Sequence, residues 1–185
     1  MIPSEYFLSS KISISTDRHS MKTTFHPNQP DTVSETGSGY SGAIAKTTDG
    51  GKTWNAVYVT HDFYFNQIDC ISVNNCMAVG EGNGNSYVLS TTDGCRKWNT
   101  VHTASDGSTL MGCNMLSETE AWVSGGNMDY EQRTLVGYFW HTLDGGATWE
   151  LETLNEAVSL GMSFADGVGY STAQSEFQAT VAIYN

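Results

Sequence analysis

The sequence predicts an all-β protein of four-stranded antiparallel sheets, and three features of its 185 residues indicate this fold class. Glycine occurs 19 times, proline occurs only three times, and aromatic residues make up 11% of the chain. This mixture favours short strands joined by tight turns. One short pattern occurs three times, and apolar segments that read as further strands lie between its copies.

The repeated pattern is Thr-x-Asp-Gly-(Gly/Cys)-x-(Thr/Lys)-Trp, and it lies within residues 43–57, 87–101 and 137–152. Successive aspartates are 44 and 51 residues apart, a period typical of one blade of a β-propeller. The sequence therefore predicts a β-propeller, or a fragment of one, in which each copy forms the corner of a hairpin. The residues assigned to these structural corners are Thr47, Asp49, Gly51, Trp54, Thr91, Asp93, Trp98, Thr142, Asp144, Gly146 and Trp149.

The chemistry of the pattern explains why it turns the chain. An aspartate carboxylate accepts hydrogen bonds from the backbone N–H groups of its own turn, and the glycines allow positive φ. The threonine adds a hydroxyl bond, and the tryptophan can lie across the hairpin, where it buries on the order of 200 Å². In the middle copy Cys95 replaces the second glycine and Lys97 replaces the threonine. This corner is expected to be either strained or held by a disulfide.

The chain is divided into an N-terminal arm and a set of blades. Residues 1–38 are interpreted as an arm or linker that contributes at most one closing strand, because residues 17–38 lack apolar periodicity and hold two of the three prolines. Residues 39–185 are predicted to form two complete blades flanked by two partial ones. Either the partial blades complete each other in a small ring, or the chain is a fragment of a larger ring.

The charge of the chain excludes several classes of function. A net charge of −12 with only eight Lys and Arg residues argues against nucleic acid and against anionic membranes, which both require clustered cations. A basic partner suits such a surface, although solubility alone also accounts for it. The sequence has no apolar run of about 18 residues that would predict a transmembrane segment. No motif for a cofactor is present, so none is expected.

The four cysteines predict one disulfide. Cys70 and Cys76 flank a short turn, which places them on neighbouring strands of one hairpin. A disulfide in such a small loop is expected to contribute about 2 kcal/mol; the alternative is two ordinary buried thiols. The cysteines do not form pairs of close CxxC spacing and no paired histidines accompany them. The sequence therefore predicts no zinc site.

A candidate binding surface lies on the rim opposite the corners, where the connections between blades meet the loops inside them. Aromatic and acidic residues gather there, which suits a protein or peptide partner of basic character. Phe63 and Phe65 belong to the same stretch, and the equal alternative for both is packing between blades. The candidate partner-binding residues are His61, Asp62, Tyr64, Asp129, Tyr130, Glu131 and Arg133.

The corners resemble the Asp-box, or BNR, repeat, usually written Ser/Thr-x-Asp-x-Gly-x-Thr-Trp. The first and third copies match this form fully. With the segments AVG and WVSGG that precede them, the corners look most like the photosystem II stability and assembly factor family of lumenal propellers. The resemblance covers residues 40–185 and implies a non-enzymatic scaffold that binds a membrane-protein precursor. An extracytoplasmic compartment is therefore favoured, whether lumenal, secreted or periplasmic.

An alternative function is a secreted or lysosomal BNR-repeat protein that binds glycans or acts as a glycoside hydrolase. Sialidases with such repeats use three arginines to hold the substrate carboxylate, together with a tyrosine nucleophile. Only Arg18, Arg96 and Arg133 are present here, and Arg96 lies inside a corner. The histidines are scattered and no nucleophile motif occurs. The chain is therefore expected not to be an enzyme, with no catalytic or metal-binding residues.

Overall fold

A computed structural model describes residues 21–23, 41–129, 131–132, 134–175 and 179–184, with the backbone alone described in the first and last of these ranges. Its strands are β1 (Met21–Thr23), β2 (Gly42–Lys46), β3 (Asn55–Thr60), β4 (Tyr64–Cys70), β5 (Cys76–Gly82), β6 (Asn85–Thr91), β7 (Asn99–Ala104), β8 (Thr109–Met115), β9 (Ala121–Asp129), β10 (Thr134–Thr142), β11 (Glu150–Asn155), β12 (Val158–Ala165), β13 (Val168–Gln174) and β14 (Ala179–Tyr184). Within these ranges no helix has the length and apolar character needed to cross a membrane.

The described strands form four antiparallel sheets in chain order. The first contains β1 to β3, the second β4 to β7, the third β8 to β11 and the fourth β12 to β14. The second and third sheets have four strands each, and β8 packs against both β4 and β12. Successive sheets therefore lie face to face with β4, β8 and β12 on the inside. The predicted all-β propeller fold with four-stranded antiparallel blades is confirmed.

The N-terminal arm contributes one described strand. β1 pairs with β2, with Met21 opposite Lys46 and Thr23 opposite Ile44. It lies within residues 17–38, the part of the chain that the sequence indicates is an arm or linker without apolar periodicity. The rest of that arm lies outside the described residues, so the division at residue 38 stays a prediction.

Both faces of the middle sheets are buried, which explains the unbroken apolar run in β5. Cys76 and Ala78 face the first sheet, while Met77 and Val79 face the third, and each of these side chains is at most 1% exposed. The core between the first and second sheets contains Ile44, Phe63, Phe65, Ile68, Cys76, Ala78, Leu89, Cys95 and Trp98. The core between the second and third contains Met77, Val79, Val88, Leu110, Cys113, Met115, Ala121 and Val123.

Phe63 and Phe65 are core residues. They are 6% and 8% exposed, and their rings meet edge to face at 5.3 Å. Phe63 also stacks on Tyr87 at 4.6 Å. Their placement on an exposed binding surface is therefore wrong, and the alternative of packing between blades is correct. A ring buried between two sheets removes apolar area from water in a way that an exposed position could not.

Polar side chains join the inner strands of neighbouring sheets. The Gln67 side chain on β4 donates to the Cys113 carbonyl at 3.1 Å and accepts from the Cys113 N–H at 3.3 Å. Asp69, which is 6% exposed, accepts the backbone N–H of Met115 at 2.8 Å. These side chains form hydrogen bonds with backbone groups of β8 on the edge of the strand that has no neighbouring strand in its own sheet.

The corners lie between the last two strands of three successive sheets. In the third, the Asp144 carboxylate accepts the Thr148 N–H at 2.8 Å and the Thr148 hydroxyl at 2.6 Å. The Thr142 hydroxyl donates to Asp144 at 2.9 Å and accepts the Gly146 N–H at 2.9 Å. Asp49 makes the same bonds with Thr47 and Thr53 in the first corner. The aspartates of the first and third corners therefore accept the same set of hydrogen bonds.

The middle corner departs from this geometry where its sequence departs from the pattern. Cys95 has φ 75°, a left-handed conformation that is costly for a residue with a Cβ. The indoles of Trp54 and Trp149 donate to the carbonyls of Gly51 and Gly146, whereas the buried Trp98 Nε1 has no hydrogen-bond partner. Cys95 carries a thiol and no disulfide. In this structure the corner is therefore strained, and no disulfide holds it.

The corner tryptophans differ in how much of the indole is buried. Trp98 lies 6.3 Å from the Tyr58 ring of the preceding sheet and is 8% exposed. Trp149 lies 5.6 Å from the His102 ring of its preceding sheet, and burial lowers the pKa of that histidine. Trp54 is 36% exposed. Burial of the indole therefore comes from the neighbouring sheet as well as from its own hairpin.

Acid is expected to weaken the corners. The Thr148 hydroxyl, followed by the Thr148 N–H, lowers the pKa of Asp144 to about 2 from its ordinary value of 3.8. Because the folded-state pKa is the lower one, the carboxylate stabilises the fold above pH 3.8, and this effect is lost as the pH falls through about 2. Asp144→Asn should therefore lose less stability than the wild type between pH ~5 and pH ~2, measured by the midpoint of urea unfolding. Equal losses would contradict this expectation.

Candidate protein-binding rim

The ends of the strands form two rims with different chemistry. The corner rim consists of the corners and of residues 71–75 and 116–120, which link the first two strands of the second and third sheets. The connector rim consists of the links between sheets and of the hairpin links opposite the corners, together with the strand ends beside them. The links of the connector rim are residues 61–63, 83–84, 105–108, 131–132 and 156–157.

The cations of the described structure lie at one rim. Among the side chains that the structure describes, every Lys and Arg lies in the corner rim or beside it: Lys46, Lys52, Arg96 and Lys97. Lys46 Nζ donates there to the carbonyls of Val73 and Gly94 at 3.3 and 3.2 Å. The connector rim carries carboxylates: Asp62, Glu81, Asp106, Asp129, Glu131 and Glu156. The described part of the connector rim therefore carries carboxylates and no Lys or Arg.

Hydrogen bonds hold the connector rim in place before any partner arrives. The Tyr64 hydroxyl donates to the Glu81 carboxylate at 2.7 Å, and Asn66 Nδ2 donates to the same oxygen at 3.1 Å. Asn66 also donates to the Leu110 carbonyl of the next sheet at 2.8 Å. Glu81 is therefore fixed in orientation, and the contact continues from the second sheet into the third.

The links between sheets are tied to the hairpin links beside them. Asn83 Nδ2 donates to the Asp62 carbonyl at 3.4 Å, and Asn127 Nδ2 donates to the Asp106 carbonyl at 3.3 Å. The Ser108 hydroxyl lies 2.6 Å from the Asp106 carboxylate, and this bond is the main cause of a lowered pKa of Asp106. Asp106 therefore stays ionised at neutral pH.

A cleft of about 460 Å³ opens beside the hairpin between β9 and β10. Asp129 at its edge accepts the backbone N–H groups of Glu131 and Gln132, both at 2.9 Å, which fixes the turn. The lining combines carboxylates with apolar and aromatic surface: Asn127, Met128, Asp129, Glu131, Thr134, Val136 and Tyr138. Such a surface can accept the apolar stem and the charged end of a long cationic side chain.

The candidate binding residues fall into three groups. His61 and Asp62 are exposed on the first link, while Tyr64 is half-buried against Glu81. Asp129 and Glu131 line the cleft. The last two candidates, Tyr130 and Arg133, lie outside the described residues. The described candidates therefore share one rim, and they divide between its first link and its cleft.

Glu156 is a rim residue that the sequence analysis does not identify. It follows β11 directly, as Asp62 follows β3 and Asp106 follows β7 within two residues. Its N–H donates to the Leu135 carbonyl at 2.9 Å, which places it beside the β9–β10 hairpin. An acidic residue after each outer strand is a signal in the sequence that could have located it.

Within the described ranges, no group of three or more His, Cys, Asp or Glu residues is arranged to hold a metal.

No protein-family model matches the chain, and no curated protein matches its sequence. Among solved structures, the chain is similar to one described as YCF48 bound to D1 peptide, with a TM-score of 0.52 and 18% identity. The chain is a β-propeller protein. The match covers 92% of this chain but spans only 60% of the YCF48 chain. At this identity the similarity establishes the propeller fold alone.

Proposed function

We propose that this protein is a non-enzymatic β-propeller scaffold that binds a basic segment of a protein partner on its connector rim. The observation that carries the proposal is the distribution of cations, since the described part of this rim holds carboxylates and no Lys or Arg. An anionic surface fixed by its own hydrogen bonds attracts and orients a cationic segment at little cost in ordering. The same rim offers a cleft with apolar surface for side-chain contacts.

A scaffold role also suits the carboxylates that the structure describes in detail. The corner aspartates accept bonds from their own turns, and Glu81 is held by Tyr64 and Asn66. Carboxylates whose oxygens already accept these hydrogen bonds stabilise the fold. A general acid or base, by contrast, has to lie within hydrogen-bond reach of a substrate proton.

The finer proposal is a role in the assembly or stability of a membrane protein, comparable to that of the photosystem II assembly factor family. Its support is the resemblance of the corners to Asp-box repeats and the D1 peptide in the YCF48 structure. We also propose an extracytoplasmic location. The Cys70–Cys76 disulfide supports it, because such bonds persist mainly in oxidising compartments.

Calorimetric titration with two peptides tests these proposals. One is the D1 peptide of the YCF48 complex, and the other is an extended lysine-rich peptide. The double variant Asp62→Lys, Glu131→Lys should lose about tenfold or more of the affinity, because it reverses charge on the connector rim. The matched control is Glu150→Lys, Glu152→Lys, which makes the same change in net charge on the exposed outer strand β11 and should bind nearly as the wild type does.

The outcomes separate the coarse proposal from the fine one. Binding of the lysine-rich peptide alone would support the basic-segment scaffold and contradict the assembly-factor role. Binding of the D1 peptide with loss only in the rim variant would support both. Equal weakening by the two double variants would show attraction to net charge and contradict a binding site on the rim. Absence of binding by both peptides would contradict the scaffold proposal itself.

A further inference from the structure

Three of the four cysteines lie at one end of the second sheet. Cys70 and Cys76 form a disulfide, and they stand directly opposite each other where β4 and β5 meet, with their Cα atoms 4.1 Å apart. Cys76 is also directly opposite Thr91 on β6. Thr91 begins the middle corner, which contains Cys95. The disulfide therefore lies beside the corner that holds a third sulfur.

The backbone brings Cys95 back over Thr91. The Cys95 N–H donates to the Thr91 hydroxyl at 3.2 Å, so the Cα of Cys95 lies about one further bond, ~1.5 Å, beyond that contact. Cross-strand partners share a face of the sheet with Cβ atoms about 5 Å apart, which puts Cys76 next to the same hydroxyl. Cys76 and Cys95 also belong to one buried core cluster, against which Cys70 packs. The register and this hydrogen bond therefore place Cys76 and Cys95 beside the same Thr91 hydroxyl within one buried cluster.

The fold does not require cysteine at positions 70, 76 and 95. In the third sheet the residues in equivalent register are Met115, Ala121 and Gly146, and that corner forms its full set of hydrogen bonds. In the second sheet all three positions are cysteine, although Cys95 adopts a left-handed φ of 75° that a glycine would adopt without strain. The sulfurs are therefore present as a set, at a cost to the fold.

We propose that Cys70, Cys76 and Cys95 form a thiol–disulfide exchange site in which the disulfide moves between Cys70–Cys76 and Cys76–Cys95. The Cys95 thiolate attacks Sγ of Cys76, a new S–S bond forms, and the old bond breaks with its electron pair on Sγ of Cys70. Cys95 loses one proton and Cys70 gains one. The numbers of disulfides and thiols do not change, so the step needs no external oxidant or reductant.

The two forms differ in which thiol can be reached from solvent. Cys95 is 2% exposed and Cys76 is fully buried, whereas Cys70 is only half-buried. Exchange therefore moves the thiol from a buried position to an accessible one on the corner rim. Burial raises the pKa of the Cys95 thiol, and the nearby Lys46 charge partly opposes this. The exchange should accordingly become faster as the pH rises, because the thiolate is the nucleophile.

The first test uses the Cys70→Ser variant, in which Cys76 can pair only with Cys95 or Cys113. The folded variant is treated with oxidised glutathione, quenched in acid and cleaved with cyanogen bromide. Cleavage at Met77 separates Cys76 from Cys95, so a Cys76–Cys95 bond links the fragments 22–77 and 78–111. This linked species is the expected major disulfide. The matched control adds Cys95→Ser, which should abolish the link, whereas adding Cys113→Ser should leave it unchanged.

A second measurement uses the unaltered chain, so that the outcome does not depend on how well the variant folds. The wild type is incubated at neutral and raised pH, quenched in acid and cleaved in the same way. The linked fragments should appear without added oxidant and increase with pH. If Cys76 stays bonded to Cys70 at every pH, or if the folded Cys70→Ser variant yields only glutathione adducts of Cys76, the exchange site does not exist.

Discussion

Replacing Gly125 by alanine is expected to destabilise the protein by about 3 kcal/mol or more. Gly125 lies opposite the bulge in β8, where Leu110 and Gly112 flank the extra residue. A Cβ on Gly125 would overlap the Thr109 carbonyl oxygen, which is backbone and cannot move aside alone. The bulge would have to open, with loss of ladder bonds between β8 and β9.

Gly84→Ala provides the matched control for this substitution. Gly84 has φ +75°, and an added Cβ there meets nothing within 4 Å, so the change costs only backbone strain of about 1 kcal/mol. Urea unfolding followed by tryptophan fluorescence measures both variants. A Gly125→Ala protein as stable as the Gly84→Ala protein would show that the contact at the bulge does not restrict this position.

The same bulge occurs in the second sheet, so the close contact at Gly125 is a feature of the repeated blade. Gly80 occupies the same place in the second sheet, opposite the bulge between Phe65 and Gln67, and its Cβ would overlap the Tyr64 carbonyl oxygen. The segments AVG and WVSGG hold these glycines. The two segments are therefore similar because the backbones of the inner strands approach each other closely at the same place in both sheets, which requires glycine. A general preference for flexible residues does not account for this.

The corners could be predicted from the sequence because their interactions are local. Thr142, Asp144 and Thr148 form hydrogen bonds with one another within seven consecutive residues, so the sequence motif includes every residue that makes these bonds. The disulfide was also predictable, since Cys70 and Cys76 are separated by a single short turn. Short-range chemistry of this kind is the same in every copy, and repetition identifies it.

Contacts between residues far apart in the chain could not be predicted in the same way. Tyr64 reads as an exposed aromatic residue of a link, yet its hydroxyl bonds to Glu81, 17 residues away. Phe63 and Phe65 are buried because a sheet packs on each face of the blade, and a pattern of period two does not show which sheet covers which face. The sequence predicts acidic residues on the connector rim, but the hydrogen bond from Asn66 to the Leu110 carbonyl of the next sheet could be seen only in the fold.

The second large effect is expected at the threonine that opens each intact corner. Thr142→Val should destabilise the protein by about 2–3 kcal/mol, since it removes a buried hydroxyl while keeping nearly the same shape. The Thr142 side chain is 1% exposed, and its hydroxyl accepts the Gly146 N–H at 2.9 Å. Valine would leave that buried N–H without a partner, and the Asp144 carboxylate would lose a donor.

Thr142→Ser separates the hydroxyl from the methyl group. Serine keeps the hydrogen bonds and loses one buried methyl, which costs about 1 kcal/mol, so it should be clearly more stable than the valine variant in urea unfolding. The hydroxyl also helps to lower the pKa of Asp144, so Thr142→Val should raise that pKa while Thr142→Ser should not. A valine variant as stable as the serine variant, with the acid sensitivity of the wild type, would show that the corner is held by the aspartate and its following residues without the threonine.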